Sequence, residues 1–338
     1  MMLSILTAAA LAAAPATETL TVVTSLPYVA DVASHVGGEL VTAKSLVPAG
    51  VDPHHVELTP AQITELRGAD LFLENGMQLE AWAPRVLEAA GRADLAQGAG
   101  RHAFVTNGIA PLEIPTAAEI AAGGHVHAAG NPHAWLDPMN LKLVASNVAD
   151  ALSKVDPKNR DTYQANKVAF EKRLDVAFFG PELEALLGGR YLQRLHQSGQ
   201  LLPFLEKKVV KGEKLADKLG GWLARANALS NSRVFSYHRT WSYLEKSLGL
   251  EIVETLEEKP GIPPGPAYLE TLSKLARTKQ VSTVIAPPYY PSVRIEGFAE
   301  RIGGRAVILP TQPGEAPGAD DVFSMFDTIL TRLEEAAR

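Results

Sequence analysis

Short β-branched segments alternate with segments of helical spacing along the first part of the chain. The pattern predicts a strand at 20–24, a helix at 27–35, a strand at 41–47, a helix beginning at Thr59-Pro60 and a strand at 71–73. Strands that alternate with helices of this length are typical of a parallel sheet covered by helices on both faces.

Two long helical patterns follow, at 138–155 and 157–178. In the second, apolar residues alternate with Lys and Arg as in a partly exposed helix, so we interpret 157–178 as a connector between lobes. One more surface helix of a single domain is the alternative. Residues 179–228 contain a Lys-rich segment, LEKKVVKGEKLADK, which we expect at the surface.

From residue 233 the alternation resumes. It predicts strands at 234–237, 251–256 and 281–286, and helices at 240–248 and 266–277. The predicted fold class is therefore α/β, with two units that each contain a parallel sheet. We place the first lobe at 17–156, the linker helix at 157–178, and the second lobe at 179–338 with a helical insertion at about 179–228.

The chain begins MMLSILTAAALAAAPA, an apolar stretch followed by the A-x-A pattern Ala14-Pro15-Ala16. The stretch is shorter than the roughly 20 residues that a membrane-spanning helix needs, and it indicates a signal peptide at 1–16. No Lys or Arg precedes it, so a frayed N-terminal helix is the alternative. We expect a periplasmic protein whose mature chain begins near Thr17.

The composition excludes several kinds of binding site. A length of 338 residues favours two domains, and a net charge of -6 gives no basic footprint for nucleic acid. The absence of cysteine excludes a disulfide scaffold, a thiolate zinc site, an iron–sulfur cluster and a lipid-modified cysteine in this sequence. A metal ion would have to be held by His, Asp, Glu, backbone or water.

Three of the nine histidines, His54, His133 and His238, lie in loops that follow a predicted strand or precede a helix. Ligands of open α/β sheets gather beyond the carboxyl ends of the strands, and three imidazoles suit zinc with a fourth position left open. A lone histidine is more often a surface or capping residue, but the shared placement favours a metal site. His35, His102 and His196 gain no such support, and we expect His55 to point away from the site.

Residues beside these histidines add detail. Pro53 and Pro132 restrict the backbone just before two of them, and Asp52 and Asp137 are placed to accept the second imidazole N–H. Ahead of His133, the tract GGHVHAAGNPH contains His125 and His127. Short His-rich tracts bind metals loosely, although a flexible polar loop tip has the same composition.

Several segments of the sequence resemble a known family. The segments SLPYVADVASHVGG, DPHHVELTPAQITELRGADLFLENG, NPHAWLDP and YHRTWSYLEKSLGLE with EKPGIPP resemble the periplasmic solute-binding proteins of zinc and manganese ABC importers. The resemblance implies two Rossmann-like lobes joined by a long rigid helix, with metal in the cleft. It implies ligands at His54 and His133 from the first lobe and at His238 from the second, and HVH stands where many zinc members carry a His-rich loop.

The sequence departs from this family in two places. The loop APPYYPS at 286–292, where members commonly carry a carboxylate, contains no Asp or Glu, and 179–228 is longer than expected. A carboxylate would offset the charge of zinc in a partly desolvated cleft. We therefore predict Glu257, which follows the strand at 251–256, as the fourth ligand in preference to Glu258. A water in that position is the alternative.

The predicted function is capture of zinc and its delivery to the membrane permease of an ABC importer by a monomeric protein that is not an enzyme. Manganese is the alternative ion, although it prefers harder oxygen donors. The rival interpretation is a zinc-dependent hydrolase that uses the same three histidines and a metal-bound water. Neither HExxH nor GxSxG occurs in the sequence.

Overall fold

The computed structural model describes residues 19–121, 127–230 and 232–338. The predicted signal peptide and His125 lie outside the described residues. No helix in the described part of the chain is both long and apolar enough to cross a membrane.

The first sheet has four parallel strands in the order β2-β1-β3-β4. Its elements are β1 (Leu20–Thr24), α1 (Pro27–Gly37), β2 (Val41–Ser45), α2 (Pro60–Arg67), β3 (Leu71–Glu74), α3 (Ala83–Ala90), β4 (His102–Phe104) and α4 (Ala117–Ala121). Thr59 caps α2 through a reciprocal capping box with Gln62, which confirms the predicted helix start. All four residues of β3 are buried, as expected of an inner strand with both faces covered.

A helical region links this sheet to the next. It comprises α5 (Leu141–Val155), α6 (Arg160–Phe179), α7 (Pro181–Leu187), α8 (Gly189–Gln197), α9 (Leu201–Lys207), the short hairpin of β5 (Val209–Val210) and β6 (Glu213–Lys214), and α10 (Gly221–Ala228). Helix α6 overlaps the helix predicted at 157–178, and it packs against α1 and α5 as well as α10. Its buried residues include Tyr163, Phe170 and Leu174.

The second sheet is also parallel, with the order β10-β9-β7-β8. Its elements are β7 (Arg233–Ser236), α11 (Ser242–Leu248), β8 (Glu251–Thr255), α12 (Pro266–Lys279), β9 (Thr283–Ala286), α13 (Ser292–Arg301), β10 (Arg305–Ile308) and α14 (Val322–Ala336). The predicted α/β class with two parallel sheets is confirmed.

The two halves of the molecule meet directly. One hydrophobic cluster includes Val22 of the first sheet and Ile285 of the second. Hydrogen bonds cross as well: the Trp135 indole N–H donates to the carbonyl of Thr311 at 2.7 Å, and the Tyr28 backbone N–H donates to Gln312 Oε1 at 3.0 Å. These buried contacts fix one half against the other at the level of the strand ends.

The sequence analysis did not predict two edge strands of the sheets. Strand β4 (HAF) has only three residues and no apolar run, and the apolar run Ala306-Val307-Ile308-Leu309 that contains most of β10 was not predicted as a strand. The helix predicted from 138 begins instead at Leu141. Asp137 caps a 3-10 turn at Pro138–Asn140 by accepting the backbone N–H of Met139 at 2.9 Å.

Candidate metal centre

The three predicted histidines lie beyond the carboxyl ends of strands. His54 lies in the loop after β2, His133 in the long loop after β4, and His238 two residues after β7. The structure brings their donor nitrogens to within 4.8 Å of one another. Loops from both sheets, separated by up to 184 positions in sequence, therefore converge on one point.

The spacing suits a tetrahedral ion. Nε2 of His54 and Nε2 of His133 are 3.3 Å apart. Two nitrogens that each lie 2.0–2.1 Å from a tetrahedral zinc ion are separated by about 3.3 Å, so this pair already has the required separation. The ring centroid of His238 is 5.7 Å from that of His54 and 5.8 Å from that of His133. His133 and His238 are buried, while His54 is half-buried.

Asn131 sets the orientation of His133, a role that the sequence analysis missed. Its Oδ1 accepts the backbone N–H of His133 at 3.0 Å and the ring Nδ1–H at 2.8 Å. Nε2 of His133 is therefore the nitrogen that carries the lone pair. The Nδ2 of Asn131 donates to the carbonyl of Arg239 at 2.7 Å, next to His238. The expectation that Asp137 sets this tautomer is wrong, because Asp137 caps the following turn and accepts a hydrogen bond from Ser247.

Glu257 reaches the site from behind His238. The backbone ladder continues past β7 and β8, since the N–H of Glu257 donates to the carbonyl of Tyr237 at 3.1 Å. Its buried carboxylate accepts hydrogen bonds from Nδ1 of His238 at 2.8 Å and from the N–H of Gly261 at 2.8 Å. Nε2 of His238 is thereby left to face the other histidines. Glu257 as a direct ligand stays a prediction.

The loop that presents His54 is held by its neighbours. Asp52 Oδ1 accepts the backbone N–H of His54 at 3.0 Å, and the Trp82 indole N–H donates to the carbonyl of Pro53 at 3.1 Å. The adjacent His55 is exposed. The pKa of His133 is well below its usual range, because burial and the nearby His238 and His127 rings disfavour the charged form, so this ring stays neutral.

A fourth histidine adjoins the three. The ring centroid of His127 lies 5.1 Å from that of His54, and the His127 ring lines two cavities, one shared with His133 and His238 and the other with His54. Its Nδ1 lies 3.1 Å from the carbonyl oxygen of Gln78, so this nitrogen donates. Gln78 and Met77 have positive φ angles of 64° and 55°, a backbone conformation that residues other than glycine adopt only at an energetic cost.

The remaining histidines have structural surroundings. His102 forms a buried 2.9 Å contact with Glu74, His35 packs against Phe170 and Phe323, and His196 packs against Phe178.

In the 286–292 loop, Tyr290 lies beside His238, with a centroid separation of 6.1 Å. Burial and the charge of Asp52 raise the pKa of Tyr290, so this side chain is a neutral phenol. It stands in the loop where the resembled family commonly has a carboxylate.

A buried carboxyl lies beneath the site. Glu80 accepts hydrogen bonds from the Ser25 hydroxyl and from the backbone N–H groups of Asn75 and Gly76. Asn75 in turn donates to the carbonyl of Pro132, just before His133. Burial and the nearby Glu74 raise the pKa of Glu80 to about 8, so it is largely protonated at neutral pH.

Glu80 therefore predicts a pH dependence of folding in the metal-free protein. Its folded pKa is raised above the unfolded value, so protonation adds stability that is complete below about pH 4.5 and is lost as pH rises through about 8. We expect Glu80→Gln, which is neutral throughout, to show a smaller fall in the free energy of unfolding over this window. Denaturant titrations at several pH values measure the difference. Parallel pH profiles for the two proteins would contradict the assignment.

Comparisons with known proteins agree with this architecture. The manganese ABC transporter substrate-binding lipoprotein PsaA of Streptococcus pneumoniae is 29% identical over 161 residues, 46% of this chain and 48% of that protein. The iron-binding protein YfeA of Yersinia pestis is 32% identical over 153 residues, 45% of each chain. The chain thus spans about half the length of the curated relatives it matches.

Solved structures share the fold over nearly the whole chain. A ZnuA deletion mutant with zinc bound matches with a TM-score of 0.69 at 23% identity, covering 94% of this chain and 98% of that one. The Mn-bound periplasmic metal binding protein from Candidatus Liberibacter asiaticus matches with a TM-score of 0.66 at 18% identity, covering 94% and 100%.

The family model for ZnuA, zinc-uptake complex component A periplasmic, matches residues 22–177 and 207–336. The first block contains His54 and His133, and the second contains His238. The chain therefore belongs to the ZnuA family.

Proposed function

We propose that this protein captures Zn²⁺ outside the cytoplasm and delivers it to the membrane permease of an ABC importer. The observation that carries the proposal is the convergence of His54, His133 and His238, with two Nε2 atoms 3.3 Å apart. Family membership supports the role in metal uptake. In this proposal the ion is cargo, held by side chains from both sheets.

The donor set favours zinc over manganese. Relatives carry names for iron and for manganese, so the family alone does not select the ion. Three neutral imidazoles are good zinc ligands, whereas manganese prefers carboxylate and other oxygen donors. The 286–292 loop adds no carboxylate, and Glu257 already accepts a hydrogen bond from His238.

The comparisons with known proteins do not support a zinc-dependent hydrolase. The family is one of uptake components, and an enzyme would need a general base beside the open metal position. Glu257 lies behind the His238 ring and accepts hydrogen bonds from Nδ1 and from Gly261.

We also propose that the protein acts as a periplasmic monomer, with a signal peptide at 1–16 removed.

We expect the purified protein to bind one zinc ion tightly and to prefer zinc to manganese in a competitive titration. His54→Ala, His133→Ala and His238→Ala should each weaken zinc binding by more than the roughly 10–100-fold typical of orienting residues, since each removes a ligand. Isothermal calorimetry with a competing chelator measures these constants.

The matched control is His55→Ala, in the same loop but with an exposed side chain. It should retain wild-type affinity. A preference for manganese, or equal losses in His54→Ala and His55→Ala, would refute the proposed zinc site.

We propose that Glu257 acts on the metal through His238. A carboxylate that accepts Nδ1–H fixes the ring and makes Nε2 a better donor. Glu257→Gln keeps an acceptor oxygen and removes the charge, so we expect zinc affinity to fall about 10-fold, within the range of orienting residues. A zinc-bound crystal structure should show Glu257 on Nδ1 of His238. A Glu257 oxygen about 2.0–2.2 Å from zinc would instead establish it as the fourth ligand.

We propose that His127 is an accessory ligand that the ion contacts while it enters. Its ring borders both cavities, lies beside His54, and is outside the group of three described residues whose donor atoms converge. The carbonyl of Gln78 orients it, and Gln78 Oε1 also accepts the N–H of Ala129 at 3.3 Å. The strained backbone at Gln78 places both acceptors.

A residue that contacts the ion only in the transition state between the bound and free ion lowers the barrier equally for entry and exit. We therefore expect His127→Ala to slow zinc association and dissociation by a similar factor and to leave the dissociation constant nearly unchanged. Stopped-flow transfer to and from a fluorescent chelator measures both rates. Gln78→Gly should reproduce part of the effect. If the affinity of His127→Ala falls as far as that of His54→Ala, His127 is a member of the final coordination shell.

A further inference from the structure

A basic surface lies in the helical region between the two sheets. Residues 190–211 contain five basic residues and one acidic residue, a net charge of +4 in a chain whose total is -6. Most of this stretch, up to residue 206, falls in the gap between the two blocks that the family model matches. Arg190 and Arg194 lie in this gap, whereas Lys207, Lys208 and Lys211 lie in the second block; none of the five is among the residues described at the candidate metal centre.

Aromatic rings join these cations on one face of α8 and α9. The Arg194 guanidinium lies 5.8 Å from the centroid of the Tyr191 ring. The Tyr191 and Phe204 centroids are 6.0 Å apart, and the Lys208 ammonium lies 5.9 Å from the Phe204 centroid. The side chains of Arg194, Tyr191, Phe204 and Lys208 thus form a continuous row, which we call the basic–aromatic face. Leu202, in the same helix as Phe204, is 37% exposed.

The cations of this region have no acidic partner among the described residues. Among residues 19–121, 127–230 and 232–338, no carboxylate oxygen lies within 4.0 Å of the charged groups of the five basic residues, Arg190, Arg194, Lys207, Lys208 and Lys211. Neighbouring Lys218, by contrast, pairs with Glu182 and Glu213. Charge of one sign without internal compensation favours an anionic partner.

Both helices are anchored in the core, and Phe204 itself is partly buried against it. Leu192 of α8 and Leu201 and Leu205 of α9 are at most 2% exposed and belong to the main hydrophobic cluster. The basic–aromatic face is therefore presented by a fixed support. Tyr191 is the exposed apolar side chain of the face, and Leu202 and Val209 are exposed apolar residues of the same segment.

We propose that the basic–aromatic face docks onto the anionic headgroups of a lipid bilayer. Lys and Arg near an anionic membrane surface are attracted to it, and Tyr and Leu insert at the boundary between headgroups and acyl chains. A stable protein interface is built instead around a contiguous apolar centre depleted of charge. Scattered apolar groups within a cationic surface match the first arrangement.

The test is flotation of the full chain with vesicles of phosphatidylcholine alone or mixed with phosphatidylglycerol. We expect binding only to the anionic vesicles, and weaker binding at high salt because surface charges are screened. The double variant Arg194→Glu/Lys208→Glu should lose roughly tenfold or more of this binding. Equal binding to both kinds of vesicle, or none to either, would overturn the proposal.

The matched control is Lys154→Glu/Lys158→Glu, which makes the same change of charge at exposed positions near the end of α5. It should bind anionic vesicles at least half as well as the wild type, and circular dichroism should show all variants folded. Tyr191→Ser should weaken binding without a change of charge. An equal loss in both double variants would show that only net charge matters, and binding confined to vesicles that contain a permease would show a protein partner; either result overturns the assignment of this face to lipid.

Discussion

The geometry of the metal centre depends on the side-chain amide of Asn131. Its oxygen holds the backbone and ring N–H of His133, and its nitrogen donates to the carbonyl of Arg239. Because Arg239 directly follows His238, a single planar group couples His133 of the first sheet to the backbone that carries His238 of the second. The amide is polar at both ends, and that allows it to accept on one side and donate on the other.

Charge around the site is kept low before any ion arrives. His133 is neutral because burial disfavours its protonated form, Tyr290 is a neutral phenol, and Glu80 carries a proton at neutral pH. Against this background the Glu257 carboxylate accepts Nδ1–H from His238. A dication at this point would meet the neutral His133 together with the other two imidazoles, with the Glu257 carboxylate behind His238.

The sequence predicts what depends on local pattern. The predicted strand ends placed His54, His133 and His238 in loops that the structure brings together, and Thr59-Pro60 marked the start of α2. Asn131 was within reach of the same reasoning, since an Asn two residues before a histidine can accept its N–H groups. Gln78 was not, because its role rests on a positive φ and a tertiary contact, neither of which has a signature in GMQ.

Under the proposed function, an open fourth position would have a physical use, because the protein must also release its cargo. Each further charged ligand would deepen the binding well and slow dissociation, since a buried cation gains strongly from a direct carboxylate. Here the late-strand loop presents Tyr290, and Glu257 is separated from the coordination point by the His238 ring. Part of the attraction is thus transmitted through an imidazole that can turn when the hydrogen bond to Nδ1 is disturbed. Movement of the loop at 257–261, whose Gly261 N–H shares the same carboxylate oxygen, would therefore loosen His238 first, while Asn131 still held His133 in place.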